Sequence, residues 1–190
     1  MATPKFVKSL GDFGRNFIFS KPGEISKAEA QPYRSAFLVG MRLGIVSTVL
    51  EVLAISLILV LLPKETAGQS AAAFLSNVGP LGIFFLGVLL IPFWEAFIAQ
   101  LLPLELVKMM GFGDKACIAV GALVFAAGHY LNGGVGHGLC AAIGGGVFAS
   151  AYMAMRPCGY FPAFWASYVA HAFNNVLFLY LVPLTFRGLG

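Results

Sequence analysis

Apolar residues fill five stretches of this chain, at roughly 36–62, 81–102, 115–131, 137–155 and 160–183. Each is about the length, ~20 residues, that a helix needs to cross the hydrocarbon core of a bilayer. The blocks run apolar throughout instead of alternating, which predicts an all-α fold, a polytopic bundle of about five transmembrane helices, and argues against an outer-membrane barrel. Ahead of them Phe6, Leu10, Phe13 and Phe17 recur at intervals of four, three and four, with Lys8, Asp12 and Arg15 turned away. That spacing predicts an amphipathic helix lying in the membrane interface. The pattern divides the chain into a basic N-terminal segment, 1–35, and a transmembrane bundle, 36–190.

Composition agrees. The chain is 59% hydrophobic and 11% charged, where a soluble domain carries about 25% charged residues. Net charge is +4, and half of the twelve Lys and Arg lie before residue 35. Basic residues interleaved with aromatics at helical spacing suit an anionic leaflet better than nucleic acid, so membrane lipids are the expected partner and nucleic acid is not. The N-terminus lacks the apolar run and small-residue cleavage site of a signal peptide, so the first span is expected to insert as a signal anchor. With the N-terminus in the cytoplasm, Lys5, Lys8, Arg15, Lys21, Lys27, Arg34, Lys108, Lys115 and Arg156 fall inside, against Lys64 and Arg187 outside. This satisfies the positive-inside rule and predicts a plasma (inner) membrane protein with a cytoplasmic N-terminus. Cys117, Cys140 and Cys158 have neither metal-site nor disulfide-framework spacing and read as small core residues.

Against this apolar background a few polar residues stand out. Glu95 lies in Trp94-Glu95-Ala96-Phe97, His129 closes Phe125-Ala126-Ala127-Gly128-His129, and His171 and Asn175 bound a third segment. Such groups in a bilayer cost at least a few kcal/mol, so by default they face a bundle interior and mark a site. Residues four apart share a helix face, which pairs Phe125 with His129 and His171 with Asn175. Counted from the inner edge at 1.5 Å per residue, Glu95 lies roughly 12 Å deep, His171 roughly 16 Å and His129 roughly 21 Å, close enough to share one layer. The fourth span repeats Gly138, Ala142, Gly146, Ser150 and Ala154 at intervals of four, a surface for close helix packing.

Each residue also has a plainer reading. A single His in a membrane helix is more often a hydrogen-bonded packing residue than a catalyst, and a lone Glu can be kept neutral. His137, between Gly136 and Gly138, reads as a wet loop residue; Asn174 turns about 100° from Asn175. Glu51, deep in the first span, has no base on its own helix face. Taken together, a carboxylate, two imidazoles and an amide are the parts needed to activate water and stabilise the oxyanion formed when a peptide carbonyl is attacked.

In order and spacing these segments resemble the CAAX-protease and bacteriocin-processing family of intramembrane peptidases, also called the Abi family, over residues 80–183. The family motifs are a Glu-Glu pair followed after three residues by Arg, then Phe-x-x-x-His, then His-x-x-x-Asn. Glu95 falls on the first Glu, Phe125 and His129 on the second motif, His171 and Asn175 on the third, and Gly159 to Trp165 resembles the family's lead-in. The resemblance implies Glu95 as general base on a water, His129 and His171 orienting that water or binding a metal, and Asn175 polarising the scissile carbonyl of a peptide or prenylated peptide. A metal-free mechanism and a zinc held by Glu95, His129 and His171 both stay open. Ala96 and Gln100 stand where the family has its second Glu and Arg. Joint loss of that pair strands no charge, yet it raises the alternative of a catalytically silent relative acting as a scaffold or as a subunit with partner membrane proteins.

Overall fold

The computed structural model describes residues 28–61, 63, 75 and 77–182, so the amphipathic helix expected at 6–17 lies outside the described residues. Those residues form helices, with no strand among them. They are α1 (Pro32–Leu61), α2 (Pro80–Met109), α3 (Asp114–Met155) and α4 (Tyr160–Val176). α4 continues as a wider turn over Leu177–Leu181. Among the described residues, α1, α2 and the segment Asp114–Cys158 are long and apolar enough to cross a membrane.

α3 is two spans in one. At Gly134 the backbone takes φ 83° and ψ −171°, a region open in practice only to glycine, and the chain doubles back. In a straight helix residues 125 and 145 would stand ~30 Å apart. Instead a Cβ on Gly145 would overlap that of Phe125, one on Gly121 would meet Ala149, and Gly138 rests against Tyr130. Limbs 114–133 and 135–155 therefore form an antiparallel hairpin, and with α1, α2 and α4 they supply the five expected spans. The stripe expected on the fourth span contributes Gly138 and Gly146 to this contact. The deeper surface is shifted, running through Ala141, Gly144, Gly145, Phe148, Ala149 and Tyr152, all buried.

α1 and α4 lie parallel. Gly40 abuts Val169 and the Ala166 carbonyl, and Gly44 abuts Phe173 and the Ala170 carbonyl. Small residues four apart allow this close approach where no hydrophobic force drives helices together. α2 runs antiparallel to α4, with the Tyr180 hydroxyl donating to the Pro80 carbonyl at one end (3.0 Å). At the other end Glu105 accepts hydrogen bonds from Tyr152 (2.6 Å) and from both Nε and Nη2 of Arg156, whose guanidinium lies 3.7 Å from the Tyr160 ring centre. Lys108 and Asp114 pair across the α2–α3 turn at 2.8 Å.

α2 is irregular for a reason visible in its sequence. Two stretches of π-helix, Phe84–Leu90 and Ala96–Leu101, precede Pro92 and Pro103. Proline lacks an N–H and its ring crowds the preceding turn, so the helix widens ahead of it. Such bulges are tolerated in membranes where neighbouring groups satisfy the freed carbonyls.

Candidate active site

Glu95 closes the short α-helical turn between the two widened stretches of α2, and His171 lies mid-way along α4. Antiparallel packing brings them together, with His171 Nε2 3.4 Å from Glu95 Oε2. That is longer than a formed N–H···O bond. The His171 side chain is 5% exposed and the Glu95 side chain 32%, so the site is more open on the glutamate side and closed behind the imidazole. His171 stacks on Phe148 (ring centres 4.7 Å apart, 18° between planes), and its Nδ1 is buried without a protein partner.

Phe125 links the second motif to the third. Its ring stacks on His129 at 4.5 Å and meets His171 edge-on at 5.2 Å. Both imidazoles thus contact one aromatic ring. His129 Nδ1 donates to the Phe125 carbonyl at 2.9 Å, which fixes the ring and leaves Nε2 available. Among the described residues no three His, Cys, Asp or Glu side chains are grouped to hold a metal ion. As arranged, Glu95, His129 and His171 do not make a closed ligand set, and no step below is routed through a metal.

Asn175 faces α2, as its spacing from His171 requires, but one of its N–H groups is committed: Nδ2 donates to the Gly87 carbonyl at 2.7 Å. In the widened register each carbonyl pairs five residues on, as the Ile91 N–H does with Leu86. The partner due to Gly87 is then Pro92, which has no N–H. Asn175 fills that vacancy and keeps a second amide hydrogen free.

The first-motif departures lie in the helix packing, with Ala96 buried and Gln100 bonded at one end only, its Oε1 buried without a protein partner. Pro92, Ala96, Gln100 and Leu104 form a buried stripe against the hairpin. Gln100 donates from Nε2 to the Gly145 carbonyl (3.2 Å), and its Oε1 lies where a Cβ on Gly121 would go.

The structure corrects the reading of His137. It is on the second limb of the hairpin, half-buried, its ring 5.2 Å from that of His129 and its Nε2 without a protein partner. Flanking glycines suggested a loop; they are there because the limbs touch. Glu51 and Asn174 also find partners. Asn174 Nδ2 lies 3.5 Å from both Glu51 oxygens, Ser47 donates to Glu51 at 2.5 Å, and Thr48 contacts Asn174 at 2.7 Å. Cys117 is buried, and Cys140 and Cys158 are half-buried.

Fold and site together define a helical integral membrane protein with a carboxylate and imidazoles gathered inside the bundle. A family profile described as type II CAAX prenyl endopeptidase Rce1-like matches residues 77–177, from just before α2 to the end of α4. The chain belongs to this family, in agreement with the resemblance carried by its three motifs. No curated protein and no solved structure matches the chain.

Proposed function

We propose that this protein is an intramembrane endopeptidase acting on a peptide or prenylated C-terminal tail, with Glu95 as the base. The observation that carries the reading is the contact between a half-open Glu95 carboxylate and a closed His171 imidazole in the bundle interior. Glu95 takes a proton from water, and the hydroxide adds to the scissile carbonyl carbon. The oxyanion that forms accepts a hydrogen bond from the free Asn175 N–H, while His129, whose Nε2 is left as an acceptor, orients the water. Glu95 then returns its proton to the leaving nitrogen, giving a carboxylate and an amine. His171 holds the carboxylate and water in line, and its own ring is held by stacking on Phe148.

The buried interior supports this chemistry, because donors fixed in a low-dielectric site stabilise developing charge with little reorganisation. The prenylated class follows from the family's name and from a site that a lipid-bearing chain could reach sideways. Purified protein in liposomes is expected to cleave a farnesylated peptide, and Glu95→Gln to reduce the rate by ~10²–10⁴ with the fold intact.

A second reading has its own observation. Ala96 and Gln100 are sealed into the hairpin contact, and no charged pair stands beside Glu95. A silent relative serving as scaffold or complex subunit would show no hydrolysis across varied prenylated peptides and would co-purify with a membrane complex. Glu95-dependent cleavage by the isolated protein would exclude it.

A further inference from the structure

Glu51 is a buried carboxylate on α1, outside the segment matched by the family and unused in the chemistry above. It is 9% exposed and wedged between three helices. From α1, Ser47 one turn earlier donates to Oε1. From α4, Asn174 Nδ2 faces both oxygens at 3.5 Å, a polar contact longer than a formed N–H···O bond. From the hairpin, Gly144 leaves the space the carboxylate occupies, since a Cβ there would overlap Oε1 and lie 3.5 Å from Phe148.

Asn174 is one turn beyond His171 on α4, and Phe148 is the ring on which His171 stacks. Glu51 thus faces Asn174, one turn from His171 on the same helix, and Gly144, which lies beside the ring on which His171 stacks. Gly40 and Gly44 bring α1 close enough for this contact, and Thr48 adds a bond to Asn174 from the same face.

We propose that Glu51 is a positioning residue of the site: through Asn174 and the Gly144–Phe148 surface it fixes the turn of α4 that presents His171 and Asn175 to Glu95. It does not touch the reacting atoms. The kinetic consequence rests on the peptidase reading, whereas the positioning itself does not.

The test uses the full chain in detergent micelles or liposomes, with Glu51→Ala, Glu51→Gln, Asn174→Ala and the Glu51→Ala/Asn174→Ala double variant. Each alanine variant is expected to lower kcat by about 10- to 100-fold, with KM changed by less than about twofold. The double variant should fall no further than the worse single one, because both act through one contact. Glu51→Gln, which keeps acceptors for Ser47 and Asn174, should restore most of kcat. In parallel, nitrogen-15 histidine spectra should show the His171 signal, identified by its loss in His171→Gln, moved by Glu51→Ala while that of His137 stays in place.

A folded Glu51→Ala protein with wild-type kcat, fully multiplicative losses in the double variant, or an unmoved His171 signal would each overturn the proposal. If the wild type cleaves no peptide, the peptidase reading fails and the His171 signal alone decides positioning. Should Glu51→Ala not fold, Ser47→Ala removes only the hydroxyl holding Oε1 and serves the same spectral test.

Discussion

Glu95 and His171 stand 3.4 Å apart with the glutamate the more accessible of the two, so on the peptidase reading substrate and water would arrive from its side. A carboxamide at 95 keeps the shape and removes the base, which makes Glu95→Gln the cleanest probe of the chemistry. His129→Gln should cost less, because His129 stands behind Phe125 and offers only Nε2. The expected order of lost kcat/KM is therefore Glu95→Gln beyond His129→Gln, measured on one farnesylated peptide. The same geometry bears on zinc. Among the described residues Glu95, His129 and His171 are not grouped as a metal site, so on the metal-free reading cleavage is expected to persist in excess chelator, and metal analysis of the purified protein to find no stoichiometric ion. Loss of activity on chelation, restored by zinc, would refute the metal-free mechanism.

At the level of elements, the widened turns of α2 tie its prolines to the site. Pro92 leaves the Gly87 carbonyl without a helical partner, and Asn175 supplies one. Asn175→Ala should therefore destabilise the protein by about 1–3 kcal/mol, the cost of a buried unsatisfied carbonyl. Adding Pro92→Ala restores an N–H to the helix and should recover much of that stability in thermal unfolding. Catalysis should not return with it if Asn175 also polarises the substrate. A double variant that regains both would show Asn175 to be purely structural. The hairpin makes a second demand. Gly134→Ala puts a side chain where φ is 83°, at an expected cost of ~1–3 kcal/mol. Gly146 meets nothing closer than Ala122 at 3.6 Å, so Gly146→Ala should unfold close to wild type.

Across the whole molecule, the spans were legible in the sequence because each is one apolar block, and the break near Gly134 because glycines interrupt the third. Glu95, His129 and His171 were legible because ionisable groups are rare at such depth. What could not be read depended on partners distant in sequence. His137 looked like a loop residue until the limbs of α3 closed on their glycines, and Glu51 looked solitary because its partner Asn174 follows from the parallel packing of α1 on α4 at Gly40 and Gly44. Orientation in the membrane has to be argued from charge, since Glu95 lies near the middle of α2, roughly 21 Å from either end at 1.5 Å per residue, and its depth favours neither side. The antiparallel packing gathers the start of α1, the α2–α3 turn and the α3–α4 turn at one end of the bundle, and with them Arg34, Lys108 and Arg156. Even with Glu105 and Asp114 neutralising part of that charge, the excess of bases lies there, and the positive-inside rule predicts a cytoplasmic location for that end. In a background with Cys117, Cys140 and Cys158 replaced by alanine, a cysteine introduced for Phe112 should react with a membrane-impermeant maleimide only in inside-out vesicles. One introduced for Asn77, at the opposite end, should react in intact cells. The reverse pattern would invert the bundle, place Lys108 and Arg156 outside against the rule, and present substrate to the opposite face of the membrane.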